Sequence, residues 1–120
     1  MPSSSQHIDK ADRDADFAYE LDQNTESNRE WAVIAFFYAA LHYIEAYFAA
    51  RHDLHHMNHW GRDKAIGLDG QLEPIWSPYR ELKDAANAAR YDVSVCTSDE
   101  VQAAAELYEG VKGRIHDLLL

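Results

Sequence analysis

The sequence predicts an all-α protein, an up-and-down four-helix bundle with one additional short helix. Three observations carry that expectation. Apolar residues recur at steps of three and four through most of the chain. The five glycines and three prolines fall mostly between those periodic stretches. Polar connections between them are short, which favours antiparallel neighbours. At 120 residues the chain reads as a single domain, 1–120, large enough to build its own core.

Met1 to Gln6 is polar and serine-rich, with the composition of a frayed terminus. From Ile8 to Leu21 the residues Ile8, Ala11, Ala15, Ala18 and Leu21 mark one face of a first helix, and acids fill the other. Gln23 to Glu26 connects it to the stretch on which the chain is organised. Trp31 to Ala50 is a run of twenty residues in which only His42 and Glu45 are not apolar. Such a helix must be wrapped on most sides. Ser27 and Glu30 have the spacing of a capping box at its start, with the helix expected from about Asn28 to His52. A membrane span of similar length is disfavoured by the mid-helix His and Glu, by tyrosines spread along the segment and by its many alanines.

Asn58 can cap a short third helix reaching toward Ile66, which Gly67 to Gln71 breaks. Ser77-Pro78 has the pattern of a helix start, serine as cap and proline at the first helical position. The helix behind it places Tyr79, Leu82, Ala86 and Ala89 inward and ends near Tyr91. Asp92 to Cys96 is a loop. Thr97 and Glu100 form a further capping box, behind which Val101, Ala104, Tyr108, Val111, Ile115 and Leu118 supply a narrow seam. Gly110 and Gly113 interrupt this last helix and suggest a close helix approach.

The net charge of −10 argues against broad affinity for nucleic acid or anionic lipid. A local basic patch is compatible with it, because acids concentrate toward the N-terminal end. One cysteine, Cys96, cannot close an internal disulfide, and no leader pattern opens the chain, so a cytoplasmic location is the default expectation.

The segments Tyr38-Ala39-Ala40-Leu41-His42-Tyr43-Ile44-Glu45-Ala46-Tyr47, His59 followed by Arg62, Tyr79-Arg80-Glu81-Leu82 and Ala89-Arg90-Tyr91-Asp92, closed by an Ala/Leu/Ile-rich helix, resemble the HEPN superfamily over roughly residues 28 to 119. The resemblance implies a helical bundle, frequently a homodimer, with a history of RNA cleavage, nucleotide handling and toxin–antitoxin or other defence systems. Nuclease members carry an arginine, a polar residue, three more residues and a histidine. Arg51-His52-Asp53-Leu54-His55-His56 fits that string. In the nucleases the string is expected beside the final helix, whereas here it follows the long helix, and the later Arg90 has no histidine after it until His116. The resemblance is therefore also to branches that lack the nuclease motif.

Three chemical readings follow. In a metal-independent ribonuclease, His56 would act as acid or base and Arg51 as phosphate clamp; the competing reading makes them exposed polar residues at a helix end. In an RNA- or nucleotide-binding protein, His59, Arg62, His42, Glu45 and Arg90 would line the ligand site. His42 and Glu45 are otherwise a satisfied core pair, and His59 and Arg62 orient the third helix. In a purely structural module, the acidic first helix would dock a basic partner protein. The histidines His52, His55, His56 and His59 invite a metal, but no cysteine or carboxylate pair completes a ligand pattern, so neither metal nor other cofactor is expected. Trp31, Tyr38, Tyr43, Tyr47, Trp60, Trp76 and Tyr79 lie mostly at core spacing, which outweighs base stacking for them.

Overall fold

A computed structural model describes residues 2–52, 56 and 58–119. Among these residues five α-helices occur in the order α1 (Ser4–Glu20), α2 (Glu26–His52), α3 (His59–Leu68), α4 (Glu73–Tyr91) and α5 (Ser98–Leu119), with a 3-10 turn, Gly70–Leu72, between α3 and α4. No strand is present among the described residues. Helices α1, α2, α4 and α5 form the four-helix bundle and α3 is the additional short helix.

The 27 residues of α2, at ~1.5 Å each, make a rod about 40 Å long, which matches the 41 Å long axis of the molecule. Helices α1, α4 and α5 pack around it. Its most apolar window is 83% buried, so the rod that has the length of a membrane span is enclosed by protein. The core runs along it through Phe36, Phe37, Tyr43 and Ile44, faced by Ala11, Ala15 and Ala18 of α1, Tyr79, Leu82 and Ala86 of α4, and Tyr108, Val111 and Ile115 of α5. Small residues on α1 let it lie close to the bulky face of α2.

Helix boundaries follow capping chemistry, with three departures from the sequence reading. Helix α1 starts at Ser4 because Ser3 and Gln6 form a reciprocal box, Gln6 N donating to Ser3 Oγ (3.1 Å) and Ser3 N to Gln6 Oε1 (2.8 Å). The polar serines expected to fray are a cap. Helix α2 starts at Glu26, and the side chain that caps it is Thr25, whose Oγ1 accepts from Asn28 N at 3.2 Å, rather than Ser27. Helix α4 starts at Glu73, with Pro74 in its first turn and Pro78 inside it. The local Ser77-Pro78 signal is overridden by burial of Leu72 and Ile75, which requires a helical turn upstream; only the hydrogen bond that Pro78 cannot give to Pro74 O is lost.

Asn58 caps α3 by accepting from Gly61 N (2.8 Å). Thr97 and Glu100 form the expected box, Glu100 N donating to Thr97 Oγ1 (3.2 Å) and Thr97 N to Glu100 Oε1 (3.3 Å). A Cβ added at Gly110 or Gly113 would meet nothing within 4 Å, so these glycines mark no close approach and only weaken α5 intrinsically.

Candidate functional site

Glu45, the one acidic side chain in the apolar run, is fully buried, and a carboxylate there must be paired. Arg62 Nε donates to its Oε1 at 2.7 Å, His56 Nδ1 faces the same oxygen at 3.1 Å, and the main-chain N of His56 donates to Oε2 at 3.1 Å. Arg62 is itself buried, 6% exposed. Its Nη2 donates to His56 O (3.4 Å) and its Nη1 to His59 Nδ1 (3.2 Å). An arginine cannot accept, so His59 Nδ1 is the acceptor and the ring is neutral with its proton on Nε2. This network fastens α3 and His56, which precedes it, to the C-terminal third of α2.

The basic groups beyond Arg62 press on His59. Its pKa is held below the ordinary value, first by partial burial and then by Arg62, Lys83 and Arg90, with Asp63 opposing. Lys83 Nζ bridges to Asp63 Oδ2 (2.5 Å), and Arg90 donates to Tyr38 Oη (3.1 Å) and Asn87 Oδ1 (2.6 Å). Phe37 supports this corner from below, its ring centroid 5.8 Å from that of His59 and 5.9 Å from that of Tyr79. The Tyr79 hydroxyl and Arg90 Nε are buried without a hydrogen-bond partner among the described residues. Residues 59–91 contain five Lys/Arg and five Asp/Glu, so the entire net charge of −10 belongs to the rest of the chain. An anion therefore meets less repulsion on the α3–α4 side than over the chain as a whole.

Of the residues singled out in the sequence, His56, His59, Arg62 and Glu45 are brought together, with Arg90 near His59. His42 and Arg51 are not part of the cluster. His42 faces α1, its Nδ1 3.1 Å from His7 Nδ1, so it does not share a hydrogen-bond set with Glu45 as expected. Arg51 donates to Leu118 O at the end of α5, while His56 is engaged by Glu45; no hydrogen bond joins Arg51 to His56 among the described residues. His52 instead approaches Asp69 (3.4 Å), which also accepts from Tyr47 Oη (2.8 Å). His55 lies outside the described residues. Among those described, no three His, Cys, Asp or Glu side chains gather as metal ligands.

Lys83, Asp63 and Tyr79 complete the cluster and were not singled out as site residues. Asp63 and Lys83 are twenty residues apart, and no local pattern announces their pairing. Trp60 is 73% exposed, and Trp31 and Tyr38 are exposed as well, contrary to the core placement expected for them; Tyr43, Tyr47 and Tyr79 are in the core.

The His7–His42 pair makes a prediction about acid stability. Burial, then the charge of His7, lower the His42 pKa from 6.5 to about 4, with Asp14 opposing. The unfolded chain takes up this proton near pH 6.5 and the folded chain only near 4, so the contribution of neutral His42 is full above 6.5 and is lost as pH falls through that window. Because the ring is partly solvated, the loss is expected to be on the order of 1–2 kcal/mol, below the full value of the shift. Urea unfolding of wild type and His42→Asn between pH 7 and 4.5 checks it: the variant should show a shallower decline. No protein-family model, curated protein or solved structure matches the chain.

Proposed function

We propose that this chain is an HEPN-like, non-catalytic binding or accessory protein of an RNA- or nucleotide-related system, toxin–antitoxin and other defence systems included, and that it works in the cytoplasm as a homodimer. In this reading phosphate is held at the α3–α4 corner by Lys83, Arg90 and the Nε2–H of His59. The observation that carries it is Arg62 Nη1 at 3.2 Å from His59 Nδ1, with Lys83 and Arg90 of α4 acting on the same ring, in a stretch, 59–91, without net charge in a chain of −10. Arg62 serves this site indirectly: its guanidinium is consumed by Glu45 and sets the position of α3.

The ribonuclease reading on Arg51 and His56 has less support, because a phosphate clamp and an acid/base must reach one phosphodiester together and these two side chains are committed to different partners. Docking of a partner protein on α1 is favoured by a separate observation, an apolar groove of about 270 Å³ between α1 and α2 lined by Phe17, Trp31, Ile34 and Tyr38; a basic partner is the one that the acids of α1 suit.

Anisotropy titration of a labelled single-stranded oligoribonucleotide at low salt tests the leading reading. Binding should weaken as salt rises. Lys83→Ala with Arg90→Ala should weaken it about tenfold, the loss of roughly 1.4 kcal/mol, and Arg51→Ala should leave it unchanged. No titratable binding of RNA or mononucleotide would leave the protein-docking role. Metal-independent cleavage lost in both Arg51→Ala and His56→Ala would restore the ribonuclease.

A further inference from the structure

We infer that the outer face of α3, together with the start of α4, is a stacking platform for one or two unpaired bases of a single-stranded RNA. This rests on the phosphate-binding reading above and adds to it the part of the ligand that is read. Trp60, Asp63, Lys64, Gly67 and Leu68 follow one another at helical spacing along α3 and, with Trp76 of α4, line an open recess of about 390 Å³, within the ~300–1,000 Å³ range of small-molecule sites.

Its walls are mostly apolar, Trp60 being 73% and Leu68 78% exposed and Trp76 partly buried against the core. Each indole carries a cation, Lys64 Nζ 5.2 Å from the centroid of the Trp60 ring and the Arg80 guanidinium 5.3 Å from that of Trp76. Each cation lies over a face of its ring, so an unpaired base would stack on the exposed Trp60 ring as Lys64 swings from that face to meet the backbone phosphate.

Charge disfavours a polyanion less here than over the rest of the chain. The surrounding protein repels a polyanion, whereas residues 59–91 are neutral overall, and the one carboxylate in the recess, Asp63, is bridged by Lys83 at 2.5 Å. That bridge also joins the recess to the His59 corner, because Lys83 acts on both. Glu73 and Asp84 lie three and four residues outside Trp76 and Arg80 on α4, so the cationic stretch is short. A footprint of one or two bases follows, rather than a long tract. Gly67 leaves the floor open, since a Cβ there would meet nothing within 4 Å.

The test uses the full chain and a labelled oligouridylate, with the same RNA annealed to its complement and with AMP as comparisons. Trp60→Ala should weaken oligouridylate binding at least about fivefold while AMP binding through Lys83 and Arg90 persists. Gly67→Glu, which adds a carboxylate to the floor without a steric clash, should do the same and provides a variant whose folding is not in question. Trp31→Ala, at a residue that lines the α1–α2 groove and not the recess, should have no effect, and the duplex should bind more weakly than the single strand. Unchanged oligouridylate affinity in both Trp60→Ala and Gly67→Glu overturns the platform and leaves phosphate binding standing, in which case this apolar face is a protein-docking surface. An equal loss in Trp31→Ala also overturns it. Absence of binding to oligouridylate and AMP alike removes both the platform and the reading beneath it.

Discussion

Replacing Arg62 with methionine is expected to cost about 3–5 kcal/mol, because it takes the guanidinium away from a carboxyl group buried inside the bundle. The side chain of Glu45 is fully buried and its Oε1 receives the guanidinium at 2.7 Å, so no solvent can take over the role of the arginine. In a chain of this size the loss corresponds to a fall in Tm of roughly 10–25 °C. A second variant separates a stranded charge from a packing defect. Glu45→Gln in the Arg62→Met background removes the charge and keeps an acceptor for the main-chain N of His56, and should recover at least about 1 kcal/mol of the deficit. Urea midpoints of wild type, both single variants and the double variant give the coupling directly; strictly additive effects would show that the pair does not hold α3 in place.

Phe37→Ala is expected to be of similar size, about 3–5 kcal/mol, for a different reason: a fully buried ring leaves a cavity that α2 cannot collapse into. Phe37 sits where α2 meets α3 and α4, packed against Tyr38, His59 and Tyr79. The same substitution should therefore reach the candidate site. Burial is the first cause of the lowered His59 pKa, so opening the wall beneath the ring should move that pKa back toward its ordinary value. Phe37→Leu keeps most of the volume and should cost less. Chemical denaturation measures the first effect and NMR titration of the His59 ring the second. A large stability loss with His59 unmoved would mean that the core and the corner are independent.

The residues that made the bundle legible are those whose signals are local. Asn58 and the Thr97–Glu100 pair cap helices as expected, since a cap needs only the next three residues. Ser77-Pro78 misled for the converse reason: its neighbours alone describe a start, and what extends α4 upstream is burial of Leu72 and Ile75 against the rest of the protein. Ser3 was discounted because a polar terminus usually frays, yet Gln6 closes a box with it. Glu45 was conspicuous in its apolar surroundings, but its partner lies seventeen residues away, and only the packing of α3 onto α2 shows that Arg62 is spent on structure. Trp60 has core spacing in the sequence, but α3 is short and turns that residue outward.

Phosphate binding at the α3–α4 corner acts most directly on the His59 ring, which Arg62, Lys83 and Arg90 all influence. Titration of that ring by NMR, with and without AMP, measures that influence at the atom concerned. The ring should titrate below its ordinary value of about 6.5 in the free protein and move upward when AMP binds, and the response should vanish in Lys83→Ala with Arg90→Ala. A His59 that titrates at the ordinary value and ignores saturating AMP would contradict it.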